Sequence, residues 1–456
     1  MTTYQEAMEF LLNRTNFEQK QSTTFRHTDF KLDRMRLLLE ELGNPQSLPS
    51  IHIAGTKGKG STAHMVAACL QSAGHRVGLF TSPHLESYEE RIQIDGIPIT
   101  HQQLIEQTDI LKVAVDRIRS LSESNEPTFF ELTTALAWLC FREANVEIAV
   151  MEVGLGGRLD STNICHPLVT VITSIGIDHT QQLGDTITQI ASEKAGIIKP
   201  RVPVVSGCRL PDAQVVIREK SQQLDCSLTE VDSQITYSVS DSSNGLTNCS
   251  INVQNRCFTN LTLPLSGEHQ VRNLATALGA IEAIKNNLFP VSDAAIQSAI
   301  HDLQIPGRQE VINLQPKILV DVAHNTDSTQ ALIETLKKET VKPDGLRVLV
   351  FGSARDKPFV EQLTDLMPYF DHFILTTAMT SQRCCPPEEI RDSATSLATI
   401  PISIAQTPIE AINQARVIAE ESGMIVVSGS FYLAGEIRPY VREWQEKRQP
   451  HSHVIA

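Results

Sequence analysis

Residues 51–62 read Ile-His-Ile-Ala-Gly-Thr-Lys-Gly-Lys-Gly-Ser-Thr, and this stretch decides the fold class. A short β-branched run, Ile51 and Ile53, ends in a glycine-rich turn. The turn opens a helix-patterned segment, Ser61 to Ala73, with apolar residues at Met65, Val66, Cys69 and Leu70. Strand, glycine turn, lysine and helix, in that order, form the layout of a phosphate-binding loop. Gly55, Gly58 and Gly60 can take φ > 0 without a Cβ clash, so backbone N–H groups curl round an anion. The helix N-terminus adds partial positive charge. Lys59 is placed to reach the terminal phosphates of a nucleotide. In the usual pattern a hydroxyl residue follows this lysine and ligates Mg²⁺. Here Gly60 follows, and Ser61 and Thr62 come one step later. A Mg²⁺ on the nucleotide therefore needs ligands from elsewhere in the chain.

Outward from this loop, strand-like runs at 51–54, 76–80, 147–152, 168–173 and 202–205 alternate with helix-patterned segments at 100–120, 131–144, 186–198 and 211–224. Such alternation implies βαβ units and a mostly parallel sheet. Residues 227–264 differ. They are rich in Ser, Thr and Asn with short alternating runs, which predicts a small antiparallel β section. Helices are expected at 268–286 and 291–303. After a break at Gln304-Ile305-Pro306-Gly307-Arg308 the α/β alternation resumes. Strands at 317–322, 346–351, 372–376 and 424–428, with helices at 326–338, 358–368 and 408–421, predict a second, smaller doubly wound domain.

At 456 residues the chain has room for two or three domains at about 100–200 residues each. Its 39 Lys+Arg against 53 Asp+Glu give a net charge of −14, which argues against nucleic-acid or membrane-surface binding. No apolar run approaches the ~18 residues of a membrane span, and the N-terminal residues lack the cationic and apolar regions of a signal peptide. The nine cysteines show no CxxC spacing and read as free thiols of a reducing compartment, hence a cytoplasmic protein. The adjacent Cys384 and Cys385 leave metal binding or oxidation as a minor alternative.

Ligands in parallel α/β sheets collect at the carboxyl ends of strands. Glu152 ends one strand and opens the glycine-rich run Gly154-Leu155-Gly156-Gly157-Arg158-Leu159-Asp160, and a carboxylate there suits a hard divalent cation. His179, after Thr173-Ser174-Ile175-Gly176-Ile177-Asp178, offers an imidazole ligand; the alternative is a turn histidine. Lys194, in Ser192-Glu193-Lys194-Ala195-Gly196, reads on its own as a solvated helix lysine. Asp321 closes the first strand of the second domain, and Arg308 lies just before it. Together they suit a grip on a nucleotide held between the domains, a common place for ligand pockets.

Further motifs in order are Thr-Ser-Pro-His-Leu (81–85), Glu-Arg-Ile (90–92), Thr-Phe-Phe-Glu (128–131), His-Gln-Val-Arg-Asn (269–273), Asp-Val-Ala-His-Asn (321–325) and Ser-Gly-Ser-Phe-Tyr-Leu (428–433). With the phosphate loop and the glycine-rich run, the set resembles the folylpolyglutamate synthase / dihydrofolate synthase family of the Mur ligase superfamily over nearly the whole chain. The resemblance implies an α/β fold: a Mur-ligase-like ATP-binding domain at 1–305 and a Rossmann-like glutamate-ligase domain at 306–456. It implies an ATP-dependent ligase, a monomer, that adds L-glutamate to dihydropteroate and to reduced folates through an acyl phosphate. The narrower alternatives are a folylpolyglutamate synthase only, or a Mur-type ligase of cell-wall precursors. A rival of another class is a phosphate-loop ATPase that needs no amino acid.

The resemblance also implies site roles. Lys59, Lys194 and His324 would be catalytic. Gly55, Thr56, Lys57, Gly58, Lys59, Gly60, Ser61, Asn273, Arg308 and Asp321 would bind ATP. Ser82, Glu152 and His179 would hold Mg²⁺, with K⁺ as a further ion. Thr128, Phe129, Phe130 and Glu131, with Leu159, Asp160 and Ser161, would line the pteroate pocket, although Phe129 and Phe130 also read as the first core turn of a helix. Lys194 would be carbamylated, a reversal of its reading as a solvated lysine that comes from the family alone. Three positions depart from the family pattern. Lys57 stands for the usual Asn, which puts an extra cation beside the phosphates, Val322 for Gly, and Thr326 for Pro.

Overall fold

The computed structural model describes residues 3–18, 32–122, 126–243, 245–285, 289–338, 345–381, 383–394 and 400–448. The chain forms two compact units; the main division falls between Leu303 and Gln304, and the short segments Asp241–Thr247 and Leu265–Gly267 group with the second unit.

The first unit is built on a sheet of β1 (Ser50–Ala54), β2 (Val77–Phe80), β3 (Ile92–Ile94), β4 (Ile97–Pro98), β5 (Ile148–Glu152), β6 (Val169–Ile172), β7 (Val204–Ser206) and β8 (Leu228–Glu230), in the order β4-β3-β2-β5-β1-β6-β7-β8. All but the β3 and β4 edge pairs run parallel. Parallel strands covered on both faces read as continuous apolar runs, and β1, β2, β5 and β6 are buried at every residue. The helix Phe129–Glu143 buries twelve of its 15 residues, including Trp138 and Phe141, and so behaves as a core helix with no solvent stripe. Phe141 lies so close to β2 that a methyl on Gly78 would fall 2.7 Å from its ring.

The order of β2, β5, β1 and β6 positions the site. It sets the carboxyl ends of four strands side by side, which brings Ser82, Glu152, the 55–60 turn and the 173–179 turn into one row.

The expected antiparallel section begins later than the composition suggests. Residues 228–230 are β8, parallel to β7. The separate sheet is β9 (Ile235–Ser243), β10 (Leu246–Val253) and β11 (Arg256–Leu263). Its first two strands are antiparallel, since Ser240 bonds Asn248 while Thr236 bonds Asn252.

The second unit carries β12 (Glu310–Leu314), β13 (Lys317–Val320), β14 (Arg347–Phe351), β15 (His372–Leu375), β16 (Ile402–Ile404) and β17 (Met424–Ser428), ordered β12-β13-β17-β14-β15-β16. Only the β12 pairing is antiparallel. This is the smaller doubly wound domain the alternation predicts. The helices Tyr4–Leu12, Leu32–Glu41, Pro387–Ala394 and Phe431–Arg448 are additions that the alternation does not signal. The last contains Pro439, a helix breaker by propensity.

All nine cysteines are free, and Cys384 and Cys385 are both buried. No helix among the described residues is long and apolar enough to cross a membrane.

Candidate active site

The phosphate loop leaves β1 at Gly55 and enters the helix Lys59–Ser72. The helix starts two residues earlier than its apolar pattern shows, so Lys59 is its first residue. Gly58 is the N-cap, in the left-handed region at φ 81°, and supplies no side-chain cap. The first-turn N–H groups therefore remain available to an anion. A methyl on Gly58 would fall 2.3 Å from Asn273 Oδ1, which places Asn273 against the loop. Gly60 has no positive φ; it lies within the helix. The loop is stitched to the turn after β6. Thr56 N donates to Ser174 O at 2.7 Å, Lys57 N to Ser174 Oγ at 3.0 Å, and Thr173 Oγ1 to Lys57 O at 2.6 Å. Lys57 Nζ lies 2.9 Å from Asp178 Oδ2. The lysine that stands for the usual Asn thus has Asp178 as a counter-ion.

Glu152 is buried at the end of β5. Its Oε2 accepts Ser82 N–H at 3.1 Å and would lie 3.5 Å from a methyl on Gly60. The carboxylate therefore adjoins both Ser82 and the start of the phosphate helix. His179 sits beside Asp178 in a left-handed conformation at φ 50°, its Nε2 3.8 Å from Asp178 Oδ1. Among the described residues no three His, Cys, Asp or Glu side chains gather into a metal cage. The single buried Glu152 carboxylate beside Ser82 fits Mg²⁺, which takes one or two carboxylates and completes its shell with phosphate oxygens and water. Glu152→Gln is expected to raise the Mg²⁺ concentration for half-maximal activity by about tenfold or more, the scale of a lost charged interaction. A Mg²⁺ titration matching the wild type would place the metal elsewhere.

Lys194 is buried in the last turn of the helix Ile187–Ala195, which overturns its reading as a solvated lysine. Its Nζ donates to Gly55 O at 3.0 Å. Burial, then Lys59, push its pKa down to about 7; Asp178 opposes and Lys57 reinforces the shift. The glycine-rich run packs on the backbone of this last turn. A methyl on Gly157 would stand 2.8 Å from Glu193 O and 2.9 Å from Lys194 O. Arg158 N donates to Glu193 O, and the Arg158 side chain pairs with Glu193 at 3.0 Å. Gly157→Ala is expected to force this helix outward and cost about 1–3 kcal/mol of stability, as overpacking does; an unchanged denaturant midpoint would contradict that packing.

The four residues 128–131 divide by role. Thr128 and Glu131 form a capping box: Thr128 N donates to Glu131 Oε2 at 2.7 Å, and Glu131 also pairs with Arg34. Phe129 is core, 2 % exposed and edge-on to Tyr88. Phe130 faces the glycine-rich run, where a methyl on Gly154 would fall 2.4 Å from its ring. Asp160 caps the turn Ser161–Ile164, Thr134 Oγ1 meets Ser161 Oγ at 2.6 Å, and Leu159 is half-buried beside them.

In the second unit Asp321 follows β13. Its carboxylate accepts Ala323 N–H at 2.8 Å and Gln309 N–H at 3.1 Å. Burial raises it to about 6, against the pull of Arg308. The Arg308 guanidinium lies over the Phe431 ring at 5.3 Å, and the His324 ring is 5.6 Å from the same phenyl. His324 Nδ1 donates to Val322 O at 2.9 Å. Phe431 thus organises Arg308 and His324, a role that no spacing in the sequence signals.

A phosphate loop beside a buried carboxylate and a buried low-pKa lysine, with a second α/β unit bearing Asp, Arg and His at a strand end, defines an ATP-dependent ligase of the Mur type. The Mur ligase middle domain matches residues 53–281, and the Mur ligase glutamate ligase domain matches 307–431. The chain is 32 % identical to the dihydrofolate synthase/folylpolyglutamate synthase of Bacillus subtilis, over 96 % of this chain and 99 % of that one. It is similar to the Mycobacterium tuberculosis folylpolyglutamate synthase complexed with ADP, with a TM-score of 0.86 and 32 % identity over 96 % and 98 % of the two chains. It also matches E. coli FolC in complex with DHPP and ADP, with a TM-score of 0.83 and 27 % identity over 98 % and 99 %. The chain belongs to the dihydrofolate synthase/folylpolyglutamate synthase family of Mur ligases.

Proposed function

We propose that the chain joins L-glutamate to dihydropteroate, forming dihydrofolate, and to folates, forming folylpolyglutamates, at the expense of ATP. The observation that carries this reading is the convergence of Lys59, Glu152 and Lys194 on one phosphate loop, in a chain matched end to end by a relative named for both reactions. The substrate carboxylate attacks the γ-phosphorus and ADP leaves, giving an acyl phosphate. The glutamate amine then attacks the acyl carbon and phosphate leaves. Lys59 and the first-turn N–H groups of its helix hold the phosphoryl oxygens as charge shifts between them. Mg²⁺, when bound, neutralises phosphate charge; Glu152, Ser82 and His179 would hold it. Phe130, Leu159, Asp160 and Ser161 would border the pteroate, with Thr128, Phe129 and Glu131 shaping that wall from behind. Asn273, Arg308 and Asp321 would bind ATP, and His324 would serve the glutamate step. K⁺ as a further ion, a monomeric state and a cytoplasmic location complete the proposal.

The test is one purified chain assayed with dihydropteroate and with tetrahydrofolate. Both are expected to give ATP- and glutamate-dependent products. Loss of the first reaction alone would reduce the chain to a folylpolyglutamate synthase. Phosphate release that ignores glutamate would favour a simple ATPase.

A further inference from the structure

His52 lies in β1, three residues before Gly55, and is fully buried. Its Nε2 is 2.8 Å from Thr162 Oγ1. Thr162 Oγ1 is in turn 2.5 Å from Asp160 Oδ1, which also accepts Thr162 N–H at 3.0 Å. The other carboxylate oxygen of Asp160 accepts Leu155 N–H at 3.0 Å. The protons on this chain can be assigned. Burial raises the Asp160 pKa, and the Thr162 hydroxyl with the backbone N–H groups of Leu155, Thr162 and Gly154 opposes that rise by holding the ionised form. A hydroxyl has one proton, and with Asp160 ionised its carboxylate only accepts. The Thr162 proton therefore goes to Asp160, and the Thr162 oxygen must accept from His52 Nε2–H. Burial holds the imidazole pKa down at about 3, so the ring is neutral and carries one N–H. Nδ1 is then the bare nitrogen, and it is buried with no hydrogen-bond partner among the described residues. The reverse arrangement would place the proton on Nδ1 and orphan a buried N–H, a rarer and costlier fault than an orphaned acceptor.

We infer that His52 is a positioning residue for the acid substrate: its Nε2–H orders Thr162, Thr162 orders Asp160, and Asp160 fixes the glycine-rich run at Leu155. The inference rests on the reading that this run, with Phe130 against Gly154, borders the pteroate. The phosphate loop is held separately, by Thr173 and Ser174. Loss of the relay therefore acts on the acid substrate and spares the nucleotide.

Nitrogen-15 NMR of the wild-type chain at neutral pH is expected to show His52 as the Nε2–H tautomer. His52→Leu is expected to raise KM for dihydropteroate about tenfold, the cost of one buried hydrogen bond, with ADP affinity by calorimetry within about twofold. His52→Gln, which keeps a donor at the Nε2 position, is expected to recover most of the loss. An Nδ1–H tautomer, an unchanged dihydropteroate KM in folded His52→Leu, or an equal loss of ADP affinity would overturn the relay. If His52→Leu does not fold, the tautomer and the Gln variant decide. A wild-type chain that ligates neither dihydropteroate nor folate would overturn the functional reading instead, while the tautomer, read without substrate, judges the relay by itself.

Discussion

Lys59→Ala is expected to leave the chain folded and to lower kcat by about 10²–10³-fold, the loss typical of one preorganised electrostatic stabiliser. The fold should survive because Lys59 is the first residue of its helix and only half-buried, and alanine is the best helix former. The activity should not, because phosphoryl transfer leaves the protein little to do beyond positioning and charge stabilisation. A second consequence separates this account from simple damage. Lys59 is the largest charge that lowers the pKa of Lys194. Removing it should let that pKa rise, so the acidic limb of the residual pH–rate profile should move to higher pH. Near-normal turnover in the purified variant would sink the phosphate-loop assignment. A lowered rate with an unmoved acidic limb would break the link to Lys194.

The residues that announce themselves in the sequence are those whose chemistry depends on local order. Strand, glycine turn, lysine and helix are contiguous, so Gly58 and Lys59 are legible without a fold. Glu152 is legible because a carboxylate after an apolar run reads as a strand end, and parallel sheets bind at strand ends. Lys194 is different. Its neighbours in sequence describe an ordinary helix end; Gly157 and Arg158 pack on the backbone of that turn, and Gly55 receives its amine, all from distant segments. The pairing of Lys57 with Asp178 is equally remote in sequence, so its counter-ion is not legible there. Phe129 and Phe130 are adjacent and identical; only the helix phase after the Thr128 cap decides that the first enters the core and the second faces Gly154. Phe431 gained its meaning from a contact with Arg308 that no period encodes.

Lys194 carries the second large effect, through a carbamate that we propose on its amine. An ordinary lysine, at 10.5, is neutral in about one molecule in three thousand at pH 7, whereas one near 7 is about half neutral. Only the neutral amine attacks CO₂. The new N–C bond forms as one proton leaves, and the product is an anion beside the Lys59 cation. Lys194→Ala is accordingly expected to lose about 10²-fold or more of kcat. Short carboxylic acids should restore part of it by supplying the missing anion. Wild-type enzyme stripped of CO₂ should lose activity and regain it with bicarbonate. Stability offers an independent check, with its sign set by the depressed pKa. Between pH 7 and 10.5 the unfolded chain binds the Lys194 proton and the folded chain does not, so this residue makes stability rise with pH across that window. Lys194→Met removes the titrating group, so CO₂-free wild type and variant should differ most near pH 7, where the variant is the more stable, and converge toward pH 10.5. An active Lys194→Ala enzyme together with strict CO₂ independence would reject the carbamate, and a stability difference flat across that window would reject the depressed pKa from which it follows.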